Sequence, residues 1–277
     1  MSPLPIDDVL DQLLGTLAEQ SFALLVAAPG AGKTTRVPLA LLDADWRGDG
    51  RIIMLEPRRI AARAAAQRMA QSLGEKVGET VGYRVRLDSQ VSEKTKIEVV
   101  TEGVFTRMIL EDPELNGVSA VIFDEFHERS LDGDLGLALA QDAAILRPEL
   151  RLLIMSATLD SAQMSKQLAD APLIQSDGRA YPVETRYVPP KPDVLIEDHV
   201  VRTVLSALEE ETGSILVFLP GQAEINRVAK RLSATVSHDV DIAPLYGRLT
   251  PEQQDMAIAP ATQDRFGHID RTNLFDH

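Results

Sequence analysis

The chain has 277 residues, more than the roughly 100–200 residues of one typical domain, so two domains are favoured over one. Hydrophobic residues make up 44% of the chain and charged residues 25%, and its longest apolar runs are shorter than a membrane span requires. Because the sequence contains no cysteine, disulfides, a thiolate nucleophile and cysteine-ligated metal centres are excluded. These features predict a globular, cytoplasmic protein without a membrane partner.

The net charge and the amino-terminal sequence bear on whether the protein binds nucleic acid and whether it is exported. The formal net charge of −14 opposes non-specific binding to nucleic acid, although a local basic strip can coexist with an acidic exterior. Residues 51–110 are such a region, because they carry eleven Lys and Arg against seven Asp and Glu. The first residues, MSPLPIDDVLDQLL, place acidic side chains where a secretory signal has basic ones. Export is therefore not expected, and the composition is compatible with binding to nucleic acid.

The spacing of apolar residues predicts alternating helices and strands. An opening amphipathic helix is indicated by apolar residues three and four apart, namely Ile6, Val9, Leu10, Leu13, Leu14 and Leu17. Residues 21–28 are a short apolar run that stops at a glycine-rich turn, which predicts a buried strand followed by a helix from Lys33. Further strands are predicted at 52–55, 120–123, 152–155 and 215–219, and helices at 60–73 and 134–143. The alternation predicts an α/β fold with a parallel sheet and helices on both faces.

The chain divides at a proline-rich segment. Four prolines lie between residues 181 and 192, which disfavours helix and predicts an extended linker between a first domain, 1–180, and a second, 193–260. The second domain begins another α/β unit, with a helix predicted at 198–210, a strand at 214–219 and a helix at 222–232. Residues 261–277 show no period and few apolar side chains, so they are expected to be a divergent tail without regular structure.

The strongest motif is a glycine-rich loop between the first predicted strand and helix. Its residues, the candidate ATP-binding set, are Ala28, Pro29, Gly30, Ala31, Gly32, Lys33, Thr34 and Thr35. Glycines let successive backbone N–H groups face phosphates, Lys33 supplies a positive charge to them, and the Thr34 hydroxyl can ligate Mg²⁺. Ala27 stands where such loops usually have their first glycine, and an ordinary glycine turn before Lys-Thr is the alternative interpretation.

A second motif follows the strand predicted at 120–123. Asp124 and Glu125 place two carboxylates at the carboxyl end of that strand, the edge where α/β folds bind ligands. Asp124 and Glu125 are both predicted to contribute to the Mg²⁺ site. Glu125 is also predicted to polarise the water that attacks the γ-phosphate. For His127, sensing of the γ-phosphate and a purely structural hydrogen bond are both open.

Asp124, Glu125, Phe126 and His127 together resemble motif II of the DExH/DEAH helicases of superfamily 2. Other motifs of that family follow in order, namely Ia at 57–59, Ib at 101–103, III at 156–160 and IV at 216–225. The resemblance covers nearly all of residues 20–255. Residues 28–35, 181–184 and 244–247 resemble one bacterial branch of the family in particular.

The resemblance implies a RecA-like P-loop NTPase fold, ATP and Mg²⁺ as cofactors, and ATP-dependent helicase activity on nucleic acid, with RNA favoured over DNA. It implies catalytic roles for Lys33, Glu125 and His127, and packing of Arg68 on adenine. The residues it assigns to the nucleic-acid backbone are Arg58, Arg59, Thr101, Gly103 and Arg107. It assigns Ser156, Ala157 and Thr158 to coupling ATP state to domain closure.

The helicase family continues into motifs V and VI, which this sequence does not show. We therefore expect the second RecA-like domain to be incomplete, because of either a frameshift or an engineered end. An arginine finger from that domain is worth about 10³–10⁵ in rate, so the chain is expected to bind Mg·ATP and nucleic-acid backbone but to hydrolyse slowly and not unwind.

Two other classes of function compete with this interpretation. A transporter or AAA-type P-loop ATPase would share Lys33 and Asp124-Glu125, but it would not need the patterns at 57–59 and 156–158. A non-catalytic fragment that binds nucleotide without turnover is the third hypothesis. RNA against DNA, polarity and oligomeric state are left open by the sequence.

Overall fold

The computed structural model describes residues 3–157, 171–176, 183–237, 240–258 and 271–276. The chain forms two compact units, unit 1 (Met1–Pro182) and unit 2 (Val183–His277). Residues 183–190, within the predicted linker, adopt neither helix nor strand. Within the described residues, no helix has the length and apolar character needed to cross a membrane.

Unit 1 alternates strands and helices as the apolar spacing predicts. Its strands are β1 (Phe22–Ala27), β2 (Arg51–Glu56), β3 (Val81–Val85), β4 (Asp88–Gln90), β5 (Ile97–Thr101), β6 (Val118–Phe123), β7 (Arg151–Ser156) and β8 (Leu173–Ser176). Its described helices are α1 (Leu10–Glu19), α2 (Lys33–Ala40), α3 (Arg59–Leu73), α4 (Glu102–Glu111) and α5 (Leu131–Leu146). Short 3₁₀ helices occur at Pro5–Val9, Leu41–Asp43, Asp45–Arg47 and Phe126–Glu128.

The eight described strands of unit 1 form one sheet in the order β4-β3-β5-β2-β6-β7-β1-β8. All neighbours pair in parallel except β3 and β4, which form an antiparallel hairpin. This topology confirms the predicted mainly parallel sheet of a RecA-like fold. It also brings the carboxyl ends of β1, β2, β5, β6 and β7 to one edge, which is where ligands bind in such sheets.

Both faces of the sheet are covered, which explains the continuous apolar runs of its central strands. In β2, Ile52 and Met54 belong to a core cluster with residues of α1, α2 and α3. Ile53 and Leu55 point to the opposite face, into a second cluster with residues of α4 and α5. Successive side chains of a strand alternate between faces, so a strand that is buried on both sides cannot show an alternating polar pattern.

Unit 2 is a smaller α/β unit. Its described elements are α6 (Ile196–Glu210), β9 (Ile215–Leu219), α7 (Gln222–Ser233), β10 (Asp241–Leu245), α8 (Pro251–Ile258) and β11 (Arg271–Asp276). The three strands form a parallel sheet in the order β10-β11-β9. Its core packs α6 and α7 on one side of β9, whereas Leu216 on that strand is 52% exposed.

The tail differs from the sequence-based expectation. No regular structure is expected over 261–277, yet Arg271–Asp276 forms β11 and pairs in parallel with both β9 and β10. The backbone supplies the reason, because a strand between two others pairs through its N–H and C=O groups, which side-chain periodicity does not reveal. Residues 259–270 and 277 lie outside the described residues.

Phe105 and Phe123 form an aromatic pair in the core of unit 1, and substitution of Phe105 tests how much this packing contributes to stability. Phe105 is fully buried, its ring packs edge-to-face on Phe123 at 5.8 Å, and a Cβ on Gly136 would lie 3.1 Å from the Phe105 ring. We expect Phe105→Ala to lower the free energy of unfolding by about 3–5 kcal/mol, measured by urea denaturation. Leu110→Ala, on the same helix but 64% exposed, should change it by no more than about 0.5 kcal/mol. Equal effects of the two substitutions would contradict this packing.

Candidate nucleotide-binding site

The phosphate loop, residues 28–35, lies between β1 and α2 as predicted. Gly30 (φ 78°) and Gly32 (φ 97°) adopt left-handed conformations that favour glycine, and they reverse the chain immediately before α2 begins at Lys33. The turn is closed by hydrogen bonds from Ala31 N to Ala28 O and from Arg36 N to Gly32 O. The amino end of a helix offers unpaired N–H groups and a positive dipole, which suits phosphate.

The two sequence motifs meet side chain to side chain at this edge. Nζ of Lys33 lies 2.8 Å from Oε1 of Glu125, and Oγ1 of Thr34 donates a hydrogen bond of 2.6 Å to Oδ2 of Asp124. Lys33 and Asp124 are both buried, each with 3% of its surface exposed. Two segments about ninety residues apart in the chain therefore form one charged cluster, as the parallel topology requires.

The motif II loop, residues 124–130, is held in an unusual backbone conformation. Glu125 (φ 48°) and Arg129 (φ 45°) are both left-handed without being glycine, a conformation that costs roughly 1 kcal/mol or more at each position. Between them Phe126 is buried and packs edge-to-face on Phe123, and the guanidinium of Arg129 lies over its ring, 5.3 Å from the ring centroid. This anchoring fixes the direction in which the Glu125 carboxylate points.

His127 connects the motif II loop to the end of β7. The backbone N–H of Ala157 donates to Nδ1 of His127 at 3.3 Å, and the same nitrogen lies 3.4 Å from Oε2 of Glu125. One ring nitrogen cannot both accept from Ala157 and donate to Glu125, so the contact with Ala157 requires Nδ1 to be unprotonated. Ser156 is buried at the end of β7, and Thr158, the third predicted coupling residue, lies outside the described residues.

A third acidic residue, Glu56, belongs to the site, and the sequence analysis missed it. It ends β2, is 2% exposed, and faces the cavity that the phosphate loop borders. Burial, together with the hydrogen bond to Asp124 and the nearby negative charges, raises its pKa to about 9, against an opposing effect of Lys33. Burial likewise raises the pKa of Asp124, while the hydrogen bond from Thr34 and the charge of Lys33 lower it. In the sequence Glu56 reads as the last residue of an apolar strand.

The donor set fits a magnesium ion that arrives with phosphate. Among the described residues there is no cluster of three or more His, Cys, Asp or Glu side chains arranged to hold a metal. Mg²⁺ needs no such cluster, because it keeps several waters and takes one or two carboxylates beside phosphate oxygens. The adjacent Thr34 hydroxyl and Asp124 carboxylate are suitable oxygen donors, and a divalent cation would favour the ionised carboxylates.

An open cavity of about 600 Å³ lies over this cluster. The phosphate loop, Glu56 and Glu125 line one part of it. Another part is lined by the face of α3 that carries Ala61, Ala64, Ala65 and Arg68, and by Leu4 from the amino-terminal segment. The structure thus places Arg68, the predicted adenine contact, on the same cavity as Lys33.

The residues predicted to contact nucleic acid lie near the same sheet edge but in different surroundings. Arg58 borders the nucleotide cavity and pairs at 3.1 Å with Glu128 of the motif II loop. Arg59 begins α3 and is exposed, and Arg107 on α4 is 80% exposed beside Glu111. Thr101 and Gly103 flank the start of α4, whose Glu102 accepts a 2.5 Å hydrogen bond from Ser130. Motifs Ia and Ib therefore both contact the motif II loop.

Unit 2 has a cavity of its own at the carboxyl end of its sheet. It measures about 580 Å³ and lies between the start of α7 and the loop after β10. The residues that line it are Gln222, Ala223, Asn226, Tyr246, Gly247 and Arg248. Gln222, Ala223 and Asn226 overlap or adjoin the predicted motif IV, Tyr246 and Gly247 belong to the segment 244–247, and Arg248 follows it.

Comparison with known proteins identifies the class. Residues 8–166 match the family model of the DEAD/DEAH box helicases, which is more than half of the chain. The chain belongs to the DEAD/DEAH box helicase family. This confirms the resemblance inferred from the motifs and removes the transporter and AAA-type alternatives.

Individual relatives specify the branch. The chain is 50% identical over 275 residues to the ATP-dependent RNA helicase HrpB of Escherichia coli strain K12, and 36% identical over 269 residues to an HrpA homolog of Haemophilus influenzae. A crystal structure of E. coli HrpB superposes with a TM-score of 0.91 at 48% identity over 99% of this chain. The chain spans 34% of the length of HrpB and 20% of the HrpA homolog.

The raised pKa of Glu56 predicts a pH-dependent stability. In an unfolded chain this carboxyl ionises near pH 4.5, whereas in unit 1 its pKa is about 9. The folded state therefore binds the proton more tightly, and stability that is complete below pH 4.5 falls as the pH rises through 9. Glu56→Gln should flatten the decline of the unfolding free energy between pH 6 and 9, measured by urea denaturation without Mg²⁺ or nucleotide.

The matched control is Glu93→Gln, because Glu93 is an exposed carboxylate that does not line the cavity. It should leave the pH dependence as in the wild type. A decline as steep in Glu56→Gln as in the wild type would refute the placement of Glu56 beside Asp124.

Proposed function

We propose that this chain is the Mg·ATP-binding part of a DExH-type ATP-dependent RNA helicase. The observation that carries the proposal is the joint pairing of Lys33 with Glu125 and of Thr34 with Asp124 at the carboxyl edge of the sheet. A structural role alone does not call for four charged or polar groups gathered at a helix amino terminus over an open cavity. Phosphate and a hydrated metal ion account for all four.

Lys33 has two competing partners in this arrangement. Its ammonium pairs with Glu125, and it is also the cation nearest the place where β- and γ-phosphates would lie. A phosphate group that attracts Lys33 would release the Glu125 carboxylate to orient and deprotonate water. Phosphate binding would thus activate the base, and Lys33 would stabilise charge on the transferred group.

Mg²⁺, when bound with the nucleotide, supplies charge neutralisation at the phosphates. Thr34 and Asp124 would hold it, directly or through its water ligands. His127 supports a sensing role, because Nδ1 joins the γ-phosphate side of the motif II loop to the backbone of Ala157. Ala157 lies in the predicted coupling motif. A shift of Glu125 would therefore change the contact of His127 with the backbone at the end of β7.

RNA is the proposed polymer partner. HrpB and HrpA are named RNA helicases, and this chain shares 50% and 36% identity with HrpB and with an HrpA homolog. The candidate contacts, Arg58, Arg59, Thr101, Gly103 and Arg107, suit phosphate oxygens and cannot read base identity, so we propose sequence-tolerant binding. The cysteine-free composition supports a cytoplasmic location.

The first experiment titrates the purified chain with a fluorescent ATP analogue and Mg²⁺, and follows phosphate release in the same samples with and without single-stranded RNA. Lys33→Ala should weaken nucleotide binding about 10- to 100-fold, since it removes a charge-assisted contact to phosphate. Lys94→Ala, an exposed lysine of unit 1, is the matched control and should bind as the wild type does.

Equal affinity in the wild type and Lys33→Ala would refute the nucleotide site. Binding without phosphate release would support nucleotide binding and favour the non-catalytic hypothesis for this chain. Release that RNA stimulates would support a motor activity of the chain itself.

The nucleic-acid contacts predict a salt-dependence test. Arg59→Ala should weaken single-stranded RNA binding to a similar degree for different sequences, and lower the slope of log K against log salt by about 0.7. Lys76→Ala removes the same charge just beyond the other end of α3, about 22 Å away by helix rise, and should leave the slope unchanged. Identical slopes for the wild type and Arg59→Ala would exclude Arg59 as a phosphate contact.

A further inference from the structure

The amino-terminal segment, residues 4–7, contacts the phosphate loop although it lies outside the region that defines the family. The family match begins at residue 8. The backbone N–H of Ile6 donates a hydrogen bond of 3.2 Å to the carbonyl of Ala31, in the middle of the loop. The Ile6 side chain is fully buried beneath it, in the core cluster that includes Ala31 and Val37. The segment therefore packs against the phosphate loop and supports its backbone.

Leu4 packs directly on Gly32, the second glycine of the loop. A Cβ on Gly32 would lie 2.6 Å from Cδ1 of Leu4 and 3.3 Å from Cγ2 of Ile6. The left-handed φ of 97° is what requires glycine at this position, and the close contacts show that Leu4 and Ile6 pack against its Cα. Leu4 also lines the nucleotide cavity, together with Lys33, Thr34 and the alanine face of α3.

Asp7 ties the segment to α2. Its Oδ2 accepts a hydrogen bond of 2.9 Å from the backbone N–H of Leu4, which fixes the turn of the segment. Its Oδ1 lies 3.7 Å from Nε of Arg36, in the first turn of α2. One carboxylate therefore holds both Leu4 and the helix that presents Lys33 and Thr34.

The other side of the segment is fixed to the sheet. Oγ of Ser176, at the end of β8, donates a hydrogen bond of 2.9 Å to the carbonyl of Pro5. Ser176 is buried, and β8 pairs in parallel with β1, the strand that leads into the loop. The segment thus connects a sheet strand to Ala31 and Gly32 of the loop.

We propose that residues 4–7 are a positioning clamp of the nucleotide site, in which Leu4 and Asp7 hold the phosphate loop in its binding conformation. A loop with two glycines has more conformations than one built of other residues, and ordering it on binding lowers affinity. A clamp that limits those conformations beforehand raises affinity without touching phosphate, because a larger fraction of molecules is competent to bind. The inference rests on the proposed nucleotide binding.

The test compares Leu4→Ala and Asp7→Asn with two matched controls, Leu14→Ala and Asp8→Asn. Leu14 is a partly buried leucine of α1 that packs on the same core but does not line the cavity, and Asp8 is exposed beside Asp7. Affinity for a fluorescent ATP analogue with Mg²⁺ should fall about 5- to 10-fold in Leu4→Ala and Asp7→Asn. The controls should stay within about twofold of the wild type.

Hydrogen exchange supplies the readout that loss of stability would not reproduce. Without nucleotide, the amides of residues 30–36 should exchange faster in Leu4→Ala and Asp7→Asn, while those of the central strands β2 and β6 keep wild-type rates. The controls should change neither set. Addition of the nucleotide should slow exchange in residues 4–7 of the wild type, because coupling between two sites is reciprocal.

The clamp is overturned if Leu4→Ala and Asp7→Asn bind the analogue as the wild type does while Lys33→Ala loses binding. It is also overturned if Leu14→Ala weakens binding as much as Leu4→Ala, which would show general destabilisation. Wild-type binding by Lys33→Ala would instead refute the proposed function itself, so the two failures are distinguishable.

Discussion

The rest of the site depends on one arrangement of ionisable groups at the end of a parallel sheet: the ammonium of Lys33 and the carboxyl groups of Glu125, Asp124 and Glu56. Lys33, Asp124 and Glu56 are buried, so a charge on any of them is costly unless it is paired or neutralised. Lys33 neutralises Glu125, Thr34 donates to Asp124, and Glu56 responds with a raised pKa. Such a cluster is satisfied further by a metal ion with phosphate. The proposed affinity for Mg·ATP and the electrostatic cost of gathering these acidic groups then have one physical origin.

The motif II loop is the element through which that cluster communicates. Its two left-handed residues, Glu125 and Arg129, are held by the packing of Phe126 and by polar contacts of the loop with Lys33, Arg58 and Glu102. Arg58 of motif Ia pairs with Glu128, and Ser130 pairs with Glu102 next to motif Ib. An RNA phosphate that attracted Arg58 would compete with Glu128 for its guanidinium. Loss of the Arg58–Glu128 pair would then alter the loop that carries Glu125, the proposed general base. The exposed Arg58–Glu128 pair is weak by itself, which suits a contact that must be exchanged.

How much the sequence predicts depends on how local each feature is. The phosphate loop and the start of α2 at Lys33 follow from a strand, two glycines and a Lys-Thr pair that are adjacent in the chain. The parallel topology then suffices to bring Asp124 and Glu125 to Lys33. Glu56 is not predictable in this way, because a single acid at the end of an apolar run reads as a strand terminus. Strand β11 also escapes prediction, since its pairing comes from backbone edges rather than from its own side-chain pattern.

The contribution of residues 4–7 is the clearest case of a non-local determinant. Periodicity assigns Ile6 to an amphipathic helix, and the structure instead gives a 3₁₀ turn whose N–H groups and side chains face the phosphate loop. A glycine-rich loop has few side chains with which to fix its own shape, so its rigidity must come from neighbours. Ala31 and Gly32 provide a carbonyl and an open Cα for this purpose. The loop is therefore conformationally permissive in sequence but restrained in the fold, a combination that phosphate binding requires.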